Sequence, residues 1–255
     1  MISIRKALLG TVAVIFVAYE ALMFYFIHIE KAQLGFNLHY SCIIAAAIFS
    51  WLTLIIELIG ARAENHSVRK ILFNPYNGNL IRIAMLFTLV ADYYLVAINE
   101  AKELEGVTVF LGTQLFIFLH IMLNDENPRG RKANVITRLS LTVVTVITAY
   151  AILGESTDPL AIISVIYYSN LCANAIFAHR IGRGGIILTI GLILFALCDI
   201  NVGLSGLNSI YDGGFPEGSL LYNLLHTDLD LIWIFYIPSQ TLIPLTLLFC
   251  SKKEV

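Results

Sequence analysis

The sequence predicts an all-α polytopic membrane protein: a bundle of eight transmembrane helices, one domain over residues 1–255, with both termini cytoplasmic. Three observations carry this. Hydrophobic residues make up 58% of the chain and charged ones only 13%, with a mean hydropathy of +0.80, outside the usual range of a soluble domain. Apolar runs of about twenty residues, the length that crosses roughly 30 Å of hydrocarbon, recur along the whole chain. Basic residues fall almost entirely in alternate connections.

The first run, 5–28, follows Arg5 and Lys6 as a signal peptide would. It exceeds the usual apolar length and has no small-x-small cleavage site, so it is expected to remain as the first helix. Further runs follow at 39–60, 79–99, 106–123, 135–153, 159–180, 185–207 and 229–250. With a cytoplasmic N-terminus, that side receives all but three of the 16 lysines and arginines, Arg138 among them. Lys31 and Lys102 fall on the opposite side, and Arg82 sits just inside the third helix, where its stem is long enough to snorkel to the interface. An odd number of helices would scramble this pattern. The longest outer connection, 208–228, contains Gly213, Gly214, Pro216 and Gly218 and reads as an exposed loop whose apolar part, 220–225, suits a membrane surface. Cys42, Cys172, Cys198 and Cys250 all lie in apolar runs and read as small core residues. A net charge of -2 without a basic cluster gives no reason to expect nucleic acid. Membrane lipids are the expected surroundings, in a multi-pass protein of the cell membrane, with the oligomeric state left open.

An ionisable residue inside a transmembrane helix costs several kcal/mol unless it faces a cavity or a partner. Glu20, Asp92 and Asp199 are of this kind, with Glu57 nearer an interface. Each of the three lies about fourteen to sixteen residues into an outward-running helix, the first, third and seventh. Their common depth predicts one cavity in the outer half of the membrane. Three ionised carboxylates would repel one another there without water, so at least one is expected to carry a proton and act as a donor. Tyr167, Asn170 and Asn174 form one polar stripe, Tyr236 and Gln240 another, and Gly112, Phe116 and His120 a third, each at helical spacing. For amides and tyrosines taken singly, the competing reading is hydrogen bonding that holds helices together. Two aspartates at matched depth favour function. His28, His39, His226, Asp228 and Asp230 lie near the outer surface without the spacing of a zinc motif, so no metal site is expected. No phosphate loop, nucleophile elbow or Cys/His nucleophile pattern is present.

Four short motifs in order, Ala91-Asp92, Gly112 to Phe116 to His120, Phe195-Ala-Leu-Cys198-Asp199 and Tyr236-Ile-Pro-Ser-Gln240, resemble those of the YhhN family, whose characterised members are lysoplasmalogenases. Ala91 stands where the family has Gly, and Cys198 where it has Ser. The resemblance implies a membrane hydrolase that splits the vinyl-ether bond of a lysophospholipid into a fatty aldehyde and a glycerophospho-base. It implies Asp92 and Asp199 as the catalytic acid/base pair, the same two that depth selects, and no metal or organic cofactor. Glu20, Asn170, Asn174, Tyr236, Gln240 and His120 are the expected substrate contacts. The alternative from the residues alone is a proton-coupled transporter of a small molecule or lipid, using the same carboxylates.

Overall fold

All eight apolar runs become helices long and apolar enough to cross a membrane. The structure is a computed structural model that describes residues 2–29, 38–63, 68–72, 78–98, 102–210, 214–227 and 229–250. Lys31, Gly213, Asp228, Lys252 and Lys253, which entered the sequence reading, lie outside the described residues. The elements are α1 (Ile2–His28), α2 (Leu38–Ala63), a short α3 (Val68–Leu72), α4 (Asn79–Asp92), α5 (Glu103–Asn124), α6 (Pro128–Leu153), α7 (Pro159–Ala178), α8 (Arg183–Ile210), a short α9 (Leu220–Leu225) and α10 (Leu231–Leu245). No strand occurs among the described residues. An even number of spans puts both ends of the bundle's chain on one side, here called the near side.

Helix ends follow local chemistry. Asn127 caps α6 by accepting from the backbone N–H groups of Arg129 and Gly130 at 3.0 and 3.4 Å, with Pro128 in the first turn. Asp158 caps α7 in the same way, accepting from Ala161 N–H at 2.7 Å, ahead of Pro159. The α6 cap corrects the sequence reading. The helix starts at Pro128, before the expected apolar run, because charged residues with good helix propensity extend it through the interface. Arg138, inside the expected run, stands three turns into this longer helix and is buried, 9% exposed. Arg82 is corrected too. It does not snorkel, being 1% exposed, and its guanidinium donates to Ser50 O, Asn79 Oδ1 and Thr53 Oγ1 at 2.8–3.1 Å, with Glu57 at 3.4 Å. This cluster pins α4 to α2.

Packing runs α5, α4, α2, α10, α8, α7 and back to α5, a closed ring, with α6 outside against α7 and α1 outside against α2 and α10. Close approach of α4 and α5 depends on Gly112, where a Cβ would lie 2.4 Å from the Phe87 ring. Phe116, one turn on, packs against the same ring with centroids 5.1 Å apart. In the 208–228 region, α9 is capped by Ser219, and Leu220 is 74% exposed, an apolar face turned outward as the sequence suggests.

Candidate active site

Five helices of the ring deliver side chains to one place. On α4, Asp92 is the last residue of regular helix before a π-helical turn, Tyr93–Ala97, in which Ile98 N–H reaches back to Tyr93 O at 3.3 Å. Such a widened turn is rare in regular helices and frequent at functional sites. Asp92 is 2% exposed, and its Oδ2 accepts a hydrogen bond from the Tyr236 hydroxyl of α10 at 2.5 Å. On α8, Asp199 is half-buried, and its Oδ2 accepts from the Tyr167 hydroxyl of α7 at 2.6 Å. Both tyrosines pack on the Phe195 ring of α8, which brings the two carboxylate–phenol pairs into one cluster.

Aromatic rings fill the space between them. Phe195, 1% exposed, sits edge-on to Phe110 of α5 at 5.5 Å and against Tyr236 at 5.3 Å and Tyr167 at 6.4 Å. Ring pairs of this kind each contribute about 0.5–1.5 kcal/mol beyond their burial. They also fix both hydroxyls, so that the carboxylates are held by rigid donors. Pro238, two residues past Tyr236, has no N–H to give to the Ile234 carbonyl and loosens α10 at this level.

One turn beyond Tyr236, Gln240 is 1% exposed, and neither its Oε1 nor its Nε2 has a hydrogen-bond partner among the described residues. A buried amide left this way is uncommon. Tyr236 thus stands in the cluster, and Gln240 lies one turn from it on α10. Tyr167, seen in the sequence only as part of a stripe, belongs to the cluster as much as Tyr236 does. Its partner is 32 residues away in the chain, beyond the reach of helical spacing.

The other expected contacts separate. Asn170 and Asn174 face Arg138: they accept from its guanidinium, and Asn174 Nδ2 donates to Gln114 Oε1 and Gln114 O at 2.9 Å. Glu20 on α1 is 2% exposed beside Cys42, whose weak S–H donor falls short of hydrogen-bond geometry to it, and both of its oxygens lack a partner among the described residues. It is not part of the aspartate cluster. His120 lies ten residues along α5 from Phe110, roughly 15 Å by helix rise. It lines a separate near-side cavity of about 610 Å³ with Asn124, Asp125, His179 and Arg180. There Arg180 Nε donates to Asp125 at 2.7 Å, and His120 Nδ1 is 3.3 Å from Asn124 Nδ2. Among the described residues, no three of His, Cys, Asp and Glu converge as metal ligands would.

Neither the curated proteins nor the solved structures give a match to this chain. The YhhN family model matches residues 71–247, a stretch that holds both aspartates, both tyrosines and Gln240 and leaves out Glu20. That match covers well over half of the sequence, and the chain belongs to the YhhN family.

Proposed function

We propose that the protein is a membrane hydrolase of the lysoplasmalogenase type, cleaving the vinyl-ether bond of a lysophospholipid by aspartate acid/base catalysis. The observation that carries the reading is a pair of buried-site carboxylates, each held through one oxygen by a tyrosine hydroxyl. A vinyl ether is cleaved by protonation of the alkenyl carbon β to the ether oxygen. The C=C electron pair takes the proton, leaving an oxocarbenium ion whose charge is shared by carbon and oxygen. Water adds to that carbon and loses a proton, and the resulting hemiacetal collapses to aldehyde and glycerol hydroxyl. The cycle needs one neutral acid to give the first proton and one carboxylate to stabilise the cation and take the proton from water. We assign donation to Asp199, the more accessible of the two, and cation stabilisation to Asp92, which is sealed from the surface. Each aspartate has a second oxygen, Oδ1, that is not taken by its tyrosine. Gln240, with acceptor and donor both uncommitted, is suited to holding the attacking water.

Purified protein is incubated with lysoplasmalogen and, separately, with the ester-linked analogue. Aldehyde release from the first alone, falling about 10²–10⁴-fold in Asp92→Asn and in Asp199→Asn, is the expected result. Undiminished turnover in either variant removes that residue from the mechanism.

A further inference from the structure

Two arginines of the bundle meet a carboxylate, Arg82 with Glu57 at 3.4 Å and Arg180 with Asp125 at 2.7 Å. Arg138 meets none among the described residues. It is 9% exposed in the junction of α5, α6 and α7, framed entirely by neutral groups. One terminal nitrogen donates to the Asn170 amide oxygen and, at 3.3 Å, to the Asn170 carbonyl. The other donates to Asn174 Oδ1 at 2.7 Å and Asn134 Oδ1 at 3.5 Å, and the Phe118 ring covers the guanidinium face at 4.2 Å. Its Nε is buried with no hydrogen-bond partner. Amide dipoles orient a cation without neutralising it, and an uncompensated buried charge costs several kcal/mol. An oriented guanidinium with an unused N–H and no counter-charge is the arrangement that recognises an oxyanion.

Its position selects which oxyanion. Tyr167, Asn170 and Asn174 share one face of α7, so the Arg138 frame begins about 4.5 Å along the helix from the tyrosine that holds Asp199 and extends toward the near side. In a lysophospholipid, the ether oxygen and the phosphorus are five bonds apart, a reach of about 6 Å. We propose that Arg138, on its frame of Asn134, Asn170 and Asn174, binds the phosphate of the lysophospholipid while the ether bond lies at the aspartates. The headgroup then points to the near side and the alkenyl chain away from it, the orientation of a lipid in the near-side leaflet. This inference rests on the hydrolase reading of the aspartate pair. Asn170 is half-buried, which leaves the frame open on one side.

The test is binding, measured by native mass spectrometry on the full chain in neutral detergent. Three ligands are compared: an ester-linked lysophosphatidylethanolamine, the matching monoacylglycerol without phosphate, and inorganic phosphate. The wild-type protein is expected to hold the lysophospholipid about ten-fold or more tighter than the monoacylglycerol, a difference of about 1.4 kcal/mol. Arg138→Gln should abolish that preference while leaving monoacylglycerol binding unchanged, and Arg138→Lys should keep part of it. Equal binding of the two lipids by wild type overturns the proposal whether or not the variants fold. Inorganic phosphate binding as tightly as the lysolipid overturns the lipid assignment in favour of the free anion. Because the ester lipid has no vinyl ether, the outcome is independent of turnover. Phosphate preference without aldehyde release from lysoplasmalogen would contradict the hydrolase reading alone, and aldehyde release without phosphate preference would contradict this inference alone.

Discussion

Asp92 and Asp199 each have one oxygen fixed by a phenol, and the strength of that contact sets what its loss should cost. A hydrogen bond to a charged group contributes about 1.5–3 kcal/mol. Tyr236→Phe and Tyr167→Phe should therefore each slow aldehyde release by roughly 10- to 100-fold if the bond is realised in the transition state. The carboxylate oxygen left unpaired should also lower thermal stability by about 1–3 kcal/mol; a drop in kcat measured on protein that is still folded is the result that supports this. Asp92 and Asp199 were legible in the sequence because ionisable groups are conspicuous against an apolar background. Their partners were less so. Tyr236 lies 144 residues from Asp92, and nothing at the level of spacing links them. Arg138 falls inside the expected run 135–153, but charge placement gives it only a side of the membrane; its burial among Asn134, Asn170 and Asn174 depends on contacts between helices. His120, in helical register with Gly112 and Phe116, lies eight residues, roughly 12 Å, along the helix from Gly112 toward the near side, as its place in the sequence indicates, and it lines the cavity there.

The helices themselves were the most legible elements, because an apolar run of membrane length leaves the backbone no other way to satisfy its hydrogen bonds. Local departures from the regular helix were not. The π-helical turn after Asp92 has no proline or glycine in Tyr93–Ala97 to announce it. Neither does spacing reveal that the stripe of Gly112 and Phe116 is for packing: both lie against Phe87, and the glycine is there because a side chain would occupy the ring. Gly112→Val should consequently destabilise the protein by about 1–3 kcal/mol, the usual cost of overpacking. Combining it with Phe87→Ala should return part of that loss in thermal denaturation. An additive double variant would mean that the two residues are not in contact.

In the whole molecule, polar clusters tie the ring of helices together at different levels, and their logic differs. The Arg82 cluster joins α2 to α4 with a complete set of partners, including a carboxylate. Glu57→Gln leaves that guanidinium without its counter-charge and should lower stability by about 3–5 kcal/mol, whereas replacing both residues with apolar ones of similar size should be far milder. Thermal unfolding of the two variants side by side distinguishes an ion pair from simple packing. At the aspartate level the ring closes around rigid aromatic rings and two carboxylates, and the central claim is that these deliver a proton to an alkenyl carbon. Reaction in heavy water, with the aldehyde trapped at once by borohydride reduction and weighed by mass spectrometry, tests it most directly. One deuterium from solvent on the carbon next to the former aldehyde, in a product that Asp92→Asn and Asp199→Asn do not make, is the predicted result. Aldehyde lacking that deuterium, or made equally by the two variants, would contradict it.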